Sequence, residues 1–222
     1  LAARAAVTAV DLVAAGLSGP HDPLEGPFGY FTLFDQGALA PIAATLGQTW
    51  RTLEVSYKPW PSGRASHATL GALAGHSAAS LSGITARVPT LVHRLVGRPW
   101  ADDMTPAYAR LCLPFLAALM LSDGRIDPRR FTPAHFGDPA LRALGARLSI
   151  EVDDNPDPNA LSPQSFTLAL AGGAQTITVA ATPGSPANLS PALLHAKAQL
   201  ALELAPNPAQ VAQSITDFAG PA

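Results

Sequence analysis

Cysteine is nearly missing from this chain of 222 residues, where Cys112 is the only one. A lone thiol excludes an intramolecular disulfide and any cysteine-rich zinc or iron–sulfur centre. Lysine is almost as scarce, with only Lys58 and Lys197. Charged residues make up 14% of the sequence, for a net charge of −2. That balance argues against a nucleic-acid surface or a polybasic membrane-binding face. Aromatic residues amount to 6% against 48% hydrophobic residues overall, so the interior is expected to be built from Ala, Leu and Val. No apolar run approaches the ~20 residues that span a bilayer, and no signal-peptide pattern is visible, so a cytoplasmic protein with no membrane partner is expected. There is no internal repeat, no glycine-rich phosphate loop and no Gly-x-Ser-x-Gly elbow.

What the chain does have is punctuation. Its 22 prolines and 18 glycines break it into short elements, and its length suits one large domain or two small ones. Residues 1–16 read as an Ala-rich helix stopped at Gly16, with Ser18-Gly19-Pro20 beyond. That helix has no capping residue before it, so the chain reads as part of a longer polypeptide. A short helix is expected over 40–46, a strand over 52–56, a helix running to about Leu81, and a strand over 84–95. A helix from Thr105-Pro106 to Ser122 should kink at Pro114, and Asp123-Gly124 ends it. A helix over 139–148 leads to a strand over 149–152. A hairpin pairs 166–170 with 176–180 through Gly172-Gly173. Two helices, 191–204 and 208–218, close the chain. Strands thus fall in the middle and helices outside. The fold class is α+β: a smaller α+β lid domain, 51–188, inserted in a helical domain formed in part by 1–50 and 189–222.

Chemistry concentrates in Lys58-Pro59-Trp60-Pro61-Ser62-Gly63-Arg64-Ala65-Ser66-His67. The prolines stiffen its first half, and Ser62-Gly63 then opens onto a helix-prone run, with Ser62 the expected N-cap. Arg64 and His67 are three apart and share a face. Lys58, Arg64 and His67 around a helix start describe a site for a carboxylate or phosphate. In a chain with two lysines, that cluster stands above background.

Other candidates are weaker. His21, Asp22 and Glu25 lack a second His at ligand spacing and read as solvated turn residues. Adjacent Asp102 and Asp103 point apart and suit a loop. The run Asp153-Asp154-Asn155-Pro156-Asp157-Pro158 lacks the closing Glu of a calcium loop. Cys112 lies in an apolar segment and reads as a small buried hydrophobe. Neither a metal nor a cofactor is expected.

Four pieces, taken together, resemble the MmgE/PrpD family. They are Gly16-Leu17-Ser18-Gly19-Pro20 with Leu24-Glu25-Gly26; Lys58-Pro59-Trp60-Pro61-Ser62 through His67; Leu113-Pro114-Phe115 through Asp123-Gly124; and Pro183-Gly184-Ser185-Pro186 leading to Ala196-Lys197. The family includes 2-methylcitrate dehydratase, cis-aconitate decarboxylase and iminodisuccinate epimerase. The resemblance implies a helical domain interrupted by an α+β lid and metal-independent chemistry on small di- or tricarboxylates, usually in homodimers. Carried onto this chain, Lys58 and Arg64 would clamp the substrate and Ser62 would assist by a hydrogen bond. His67 would be the acid–base residue or a ring orienting the clamp, so Lys58 and His67 are the catalytic candidates.

The family members are about twice as long, so the match is to their C-terminal half. A missing N-terminal half or second subunit is therefore expected, in a homodimer or heterodimer. Where this chain has Phe115 the family often has Tyr, and where it has Gly63 decarboxylase members carry His, which disfavours decarboxylation. Dehydration of a 2-methylcitrate-like hydroxy acid is the leading expectation and epimerisation the next. A non-catalytic accessory subunit and a small-carboxylate binding module are the rivals.

Overall fold

The computed structural model describes residues 1–219. It divides into two compact units, Leu1–Thr52 and Leu53–Ala222.

The first unit carries α1 (Ala2–Ala14), a single π turn over Phe31–Asp35 and α2 (Leu39–Ala43). Gly16, at φ +96°, ends the first helix as its sequence predicts. Asp22 accepts from the backbone N–H of Glu25, and Glu25 accepts from that of Leu39, so these acids serve as turn caps. No hydrophobic side chain in this unit is buried; Gly26 and Gly29 are its only buried residues. Phe28, Phe34, Leu46 and Trp50 are each at least two-thirds exposed. The unit has amphipathic elements and no core of its own.

The second unit contains α3 (His67–Leu73), β1 (Leu81–Val88), α4 (Thr90–Val96), α5 (Pro106–Ala109), α6 (Leu113–Asp123), α7 (Pro133–Phe136), α8 (Pro139–Gly145), β2 (Leu148–Val152), β3 (Gln164–Leu170), β4 (Gly173–Val179), α9 (Pro191–Leu204) and α10 (Pro208–Ala219). The strands form one mixed sheet in the order β2-β1-β3-β4. Strands β1 and β2 run parallel, with Ile84 opposite Leu148, while β3 pairs antiparallel with both β1 and β4. Helices with a mixed sheet make the chain α+β, as expected.

Helix α6 is apolar all round, with Leu113, Phe115, Leu116, Ala117, Ala118, Leu119, Met120 and Leu121 buried, the pattern of a central core helix. It packs against α3 and α8. Phe115 is fully buried, edge-on to Trp100, Phe131 and Phe136, and so is part of the core. Cys112 is buried too, and desolvation pushes its thiol up to about 11, as expected of an inert small hydrophobe.

Several expected elements change. Residues 51–54 form a 3-10 turn in place of a strand; Leu53 and Val55 alternate but stay exposed and join no strand among the described residues. The expected strand over 84–95 stops at Val88, because Pro89 caps the new helix α4. The expected kink at Pro114 is a full break: the proline sits in the first turn of α6, where its missing N–H costs nothing. The helix expected to reach Leu81 ends at Leu73, and Gly75 follows at φ +85°. The acidic run 153–159 is a series of Asx turns, Asp153 to Asn155, Asn155 to Asp157 and Asp157 to Asn159. No cluster of residues able to hold a metal ion occurs among the described residues. No helix among them is long and apolar enough to cross a membrane.

Candidate functional site

The stretch that stands out in the sequence is held in place from behind. The backbone N–H of Tyr57 donates to the Gly184 carbonyl at 2.7 Å, and Gly184 N–H donates to Asn188 at 2.8 Å. Gly184 sits at φ +88°, and a Cβ there would collide with the Tyr57 carbonyl, so the turn needs glycine both for its backbone and for this close approach. On the other side the Gly63 N–H donates to the Arg110 carbonyl at 2.9 Å.

Ser62 does not cap a helix. Gly63 stands at the N-terminus of a 3-10 turn, Arg64–Ser66, which runs into α3. The Ser62 and Ser66 hydroxyls lie 2.8 Å apart, and Ser66 Oγ donates to the Gly63 carbonyl at 2.7 Å. Ser66 has one hydroxyl proton and spends it on that carbonyl, so Ser62 donates to Ser66 and retains only acceptor capacity.

His67 is fully buried, its ring edge-on to Trp60 at 5.4 Å. Neither ring nitrogen has a hydrogen-bond partner among the described residues. The Trp60 and Pro183 backbones lie near enough to favour protonation without closing such a bond. Desolvation outweighs them and, with the charges of Lys58 and Arg64, lowers the pKa of His67 from 6.5 to about 4. The ring is therefore neutral at physiological pH, and the cationic cluster is one charge smaller than its sequence suggests.

Beside this stretch lies an open cavity of about 400 Å³, lined by Lys58, Pro59, Trp60, Pro61, Ser62, Arg110, Pro128 and the α9 residues Lys197, Leu200, Ala201 and Leu204, a size suited to a small molecule. Of the four expected site residues, Lys58 and Ser62 line it. Arg64 and His67 do not; they stand close by, and the Arg64 Nε is buried without a hydrogen-bond partner among the described residues. Arg110 and Lys197 join it from elsewhere in the chain. Among the described residues no aspartate or glutamate lines the cavity. Among the described residues none of its three cations is ion-paired. Other arginines are: Arg87 with Glu151, Arg130 with Asp123 and Arg142 with Asp102. Three unneutralised cations over an apolar wall attract an anion with a short carbon skeleton.

Helix α9 has no fully buried side chain; Leu193 packs half-buried against the core, and polar contacts hold the rest. Lys197 Nζ donates to the Lys58 carbonyl at 2.7 Å, and Glu203 pairs with Arg125 and Arg129 at 3.1 and 3.2 Å. Asp127 accepts from Arg129, which lowers its carboxyl to about 2 and keeps this network charged.

The model of the MmgE/PrpD C-terminal domain matches residues 60–217. The chain belongs to the MmgE/PrpD family. The matched segment holds most of the cavity lining, from Trp60 to Leu204. Members of this family are lyases and isomerases, and what matches here is their C-terminal part. Comparison with curated proteins gives no match.

Proposed function

We propose that this chain supplies the carboxylate-binding part of a hydro-lyase that removes water from a small hydroxylated di- or tricarboxylate, a 2-methylcitrate-like acid. The observation that carries this reading is the cavity between the Lys58–Ser62 loop and α9. Among the described residues it is lined by three cations without an ion pair and by no acid, in a chain belonging to a family of lyases and isomerases.

The reaction takes a proton from the carbon next to a carboxylate, leaving an electron pair that the carboxylate accepts as an enediolate. Expulsion of the neighbouring hydroxyl, protonated as it leaves as water, completes the double bond. Lys58 meets the carboxylate where negative charge grows, which lowers the barrier to forming the enediolate. As a charged N–H donor it also serves the departing hydroxyl. Ser62, with lone pairs to offer and its proton engaged, suits a substrate hydroxyl better than a carboxylate. His67 acts through Trp60: a buried neutral imidazole braces the indole that walls the cavity. Arg64 adds positive potential from beside the lining.

Among the described residues neither a carboxylate nor a histidine lines the cavity, so the base comes from another segment, the N-terminal half of the polypeptide or a second subunit. The same partner covers the exposed apolar side chains of residues 1–52. In this reading residues 51–188 are the lid and residues 1–50 and 189–222 belong to the helical domain. Decarboxylation is disfavoured: a Cβ at Gly63 would meet Leu111 at 2.6 Å and Val96 at 3.2 Å, so the histidine of decarboxylase members has no space without repacking.

The test combines the chain with its N-terminal half and follows citrate and 2-methylcitrate by proton NMR in D₂O. Vinylic signals are the expected result. Loss of the C–H signal without an alkene would make the protein an epimerase. Neither change, with the acid still bound, would make it a binding or accessory subunit.

A further inference from the structure

Arg110 is too far along the chain from Lys58 to be read as part of its cluster, yet the fold gives it the better supported position of the two nearby arginines. Its carbonyl accepts from Gly63 N–H at 2.9 Å, which fixes its backbone to the Lys58–Gly63 loop. Its guanidinium lies over the Phe131 ring, 5.5 Å from the centroid, and Phe131 is itself held edge-on by buried Phe115 at 5.7 Å. The ring holds the cation from one side and leaves the N–H donors turned away from it free to meet a carboxylate, which a guanidinium can do through two parallel bonds. Arg110 is exposed, lines the cavity, and has no acidic partner among the described residues. Arg64 lines no part of the cavity, and its Nε is buried.

We propose that Arg110, rather than Arg64, is the anchor for one substrate carboxylate, while Lys58 and Lys197 take a second. The site then selects dicarboxylates over monocarboxylates. The proposal rests on the carboxylate reading above and adds the residue that sets its specificity. Preorganisation is the physical gain: an arginine already held by Gly63 and Phe131 loses little freedom on binding.

Calorimetric titration of the purified chain with succinate and with butyrate tests it, using wild type, Arg110→Ala, Arg110→Lys and Arg64→Ala. Wild type should prefer succinate. Arg110→Ala should weaken succinate about ten- to hundred-fold, the range for a hydrogen-bonded charge pair, bringing it to the level of butyrate. Arg110→Lys should recover part of the loss, and Arg64→Ala, which removes only a charge beside the lining, should weaken succinate far less than Arg110→Ala does. Thermal melting checks that each variant is folded, and the lysine variant keeps the test valid if the alanine variant is not. Unchanged succinate affinity in Arg110→Ala overturns the proposal and leaves the carboxylate reading standing. Loss in Arg64→Ala alone moves the anchor to Arg64. Failure of wild type to bind any carboxylate overturns both.

Discussion

The ammonium of Lys197 donates a 2.7 Å hydrogen bond to the backbone carbonyl of Lys58, 139 residues earlier. The only two lysines of the chain thus meet at one cavity, and their meeting ties α9 to the loop that opens it. Lys197 has further N–H donors to offer after this one. Its stem also covers apolar surface.

Lys197→Met keeps that stem and removes the charge and the donor. Carboxylate affinity should fall about tenfold. Stability should change by less than about 1 kcal/mol, because the lost bond is exposed. Titration with citrate and a thermal melt measure the two together. Full affinity in the variant would mean that Lys197 is only a brace.

His67 should make the fold sensitive to mild acid. Burial first, then the charges of Lys58 and Arg64, lower its pKa from 6.5 to about 4. Between those values the unfolded chain binds a proton that the folded chain refuses. The stability due to the neutral ring is complete above pH about 6.5 and is lost as pH falls through about 4, roughly 3 kcal/mol in all. His67→Gln should flatten that window. Urea unfolding at either end of it decides the matter: equal losses in wild type and variant would mean that the ring is already charged in the fold.

Gly184→Ala tests the support behind the Lys58 loop. The position has φ +88° and no room for a Cβ against the Tyr57 carbonyl. The variant should lose about 1–3 kcal/mol of stability, and carboxylate binding should weaken with it as the 57–60 segment shifts. A variant as stable as wild type would show that the turn relaxes freely.

How far the sequence reveals this depends on the range of the contact. The spans of α9 and α10, the β3–β4 hairpin, and the stop at Gly124 are written in local signals: a proline at the start, a glycine at the end, alternation between. The break between α5 and α6 is equally local. Pro114 fits both a kink and the first turn of a new helix, and only packing chooses. Leu53 and Val55 alternate like a strand but have no partner strand, which no local pattern records. The site divides along the same line. Lys58 and Ser62 are legible as a cluster within one loop. Arg110 joins through a backbone bond to Gly63 and a ring at Phe131, and Lys197 through a carbonyl in a distant segment; periodicity carries neither contact. The burial of His67 could have been suspected from the Ala/Leu run that follows it. The loss of its charge follows from that burial.

The central claim is that a small carboxylate binds in the cavity between the Lys58–Ser62 loop and α9. Trp60 walls that cavity, whereas Trp50 and Trp100 do not line it. The most direct measurement is an NMR titration of the chain labelled at its tryptophan indoles, with Trp60 assigned by Trp60→Phe. Addition of citrate should move the Trp60 indole signal in a saturable way, and Lys58→Ala should abolish the shift. A Trp60 signal unmoved by citrate, or one that moves equally in Lys58→Ala, would contradict the account.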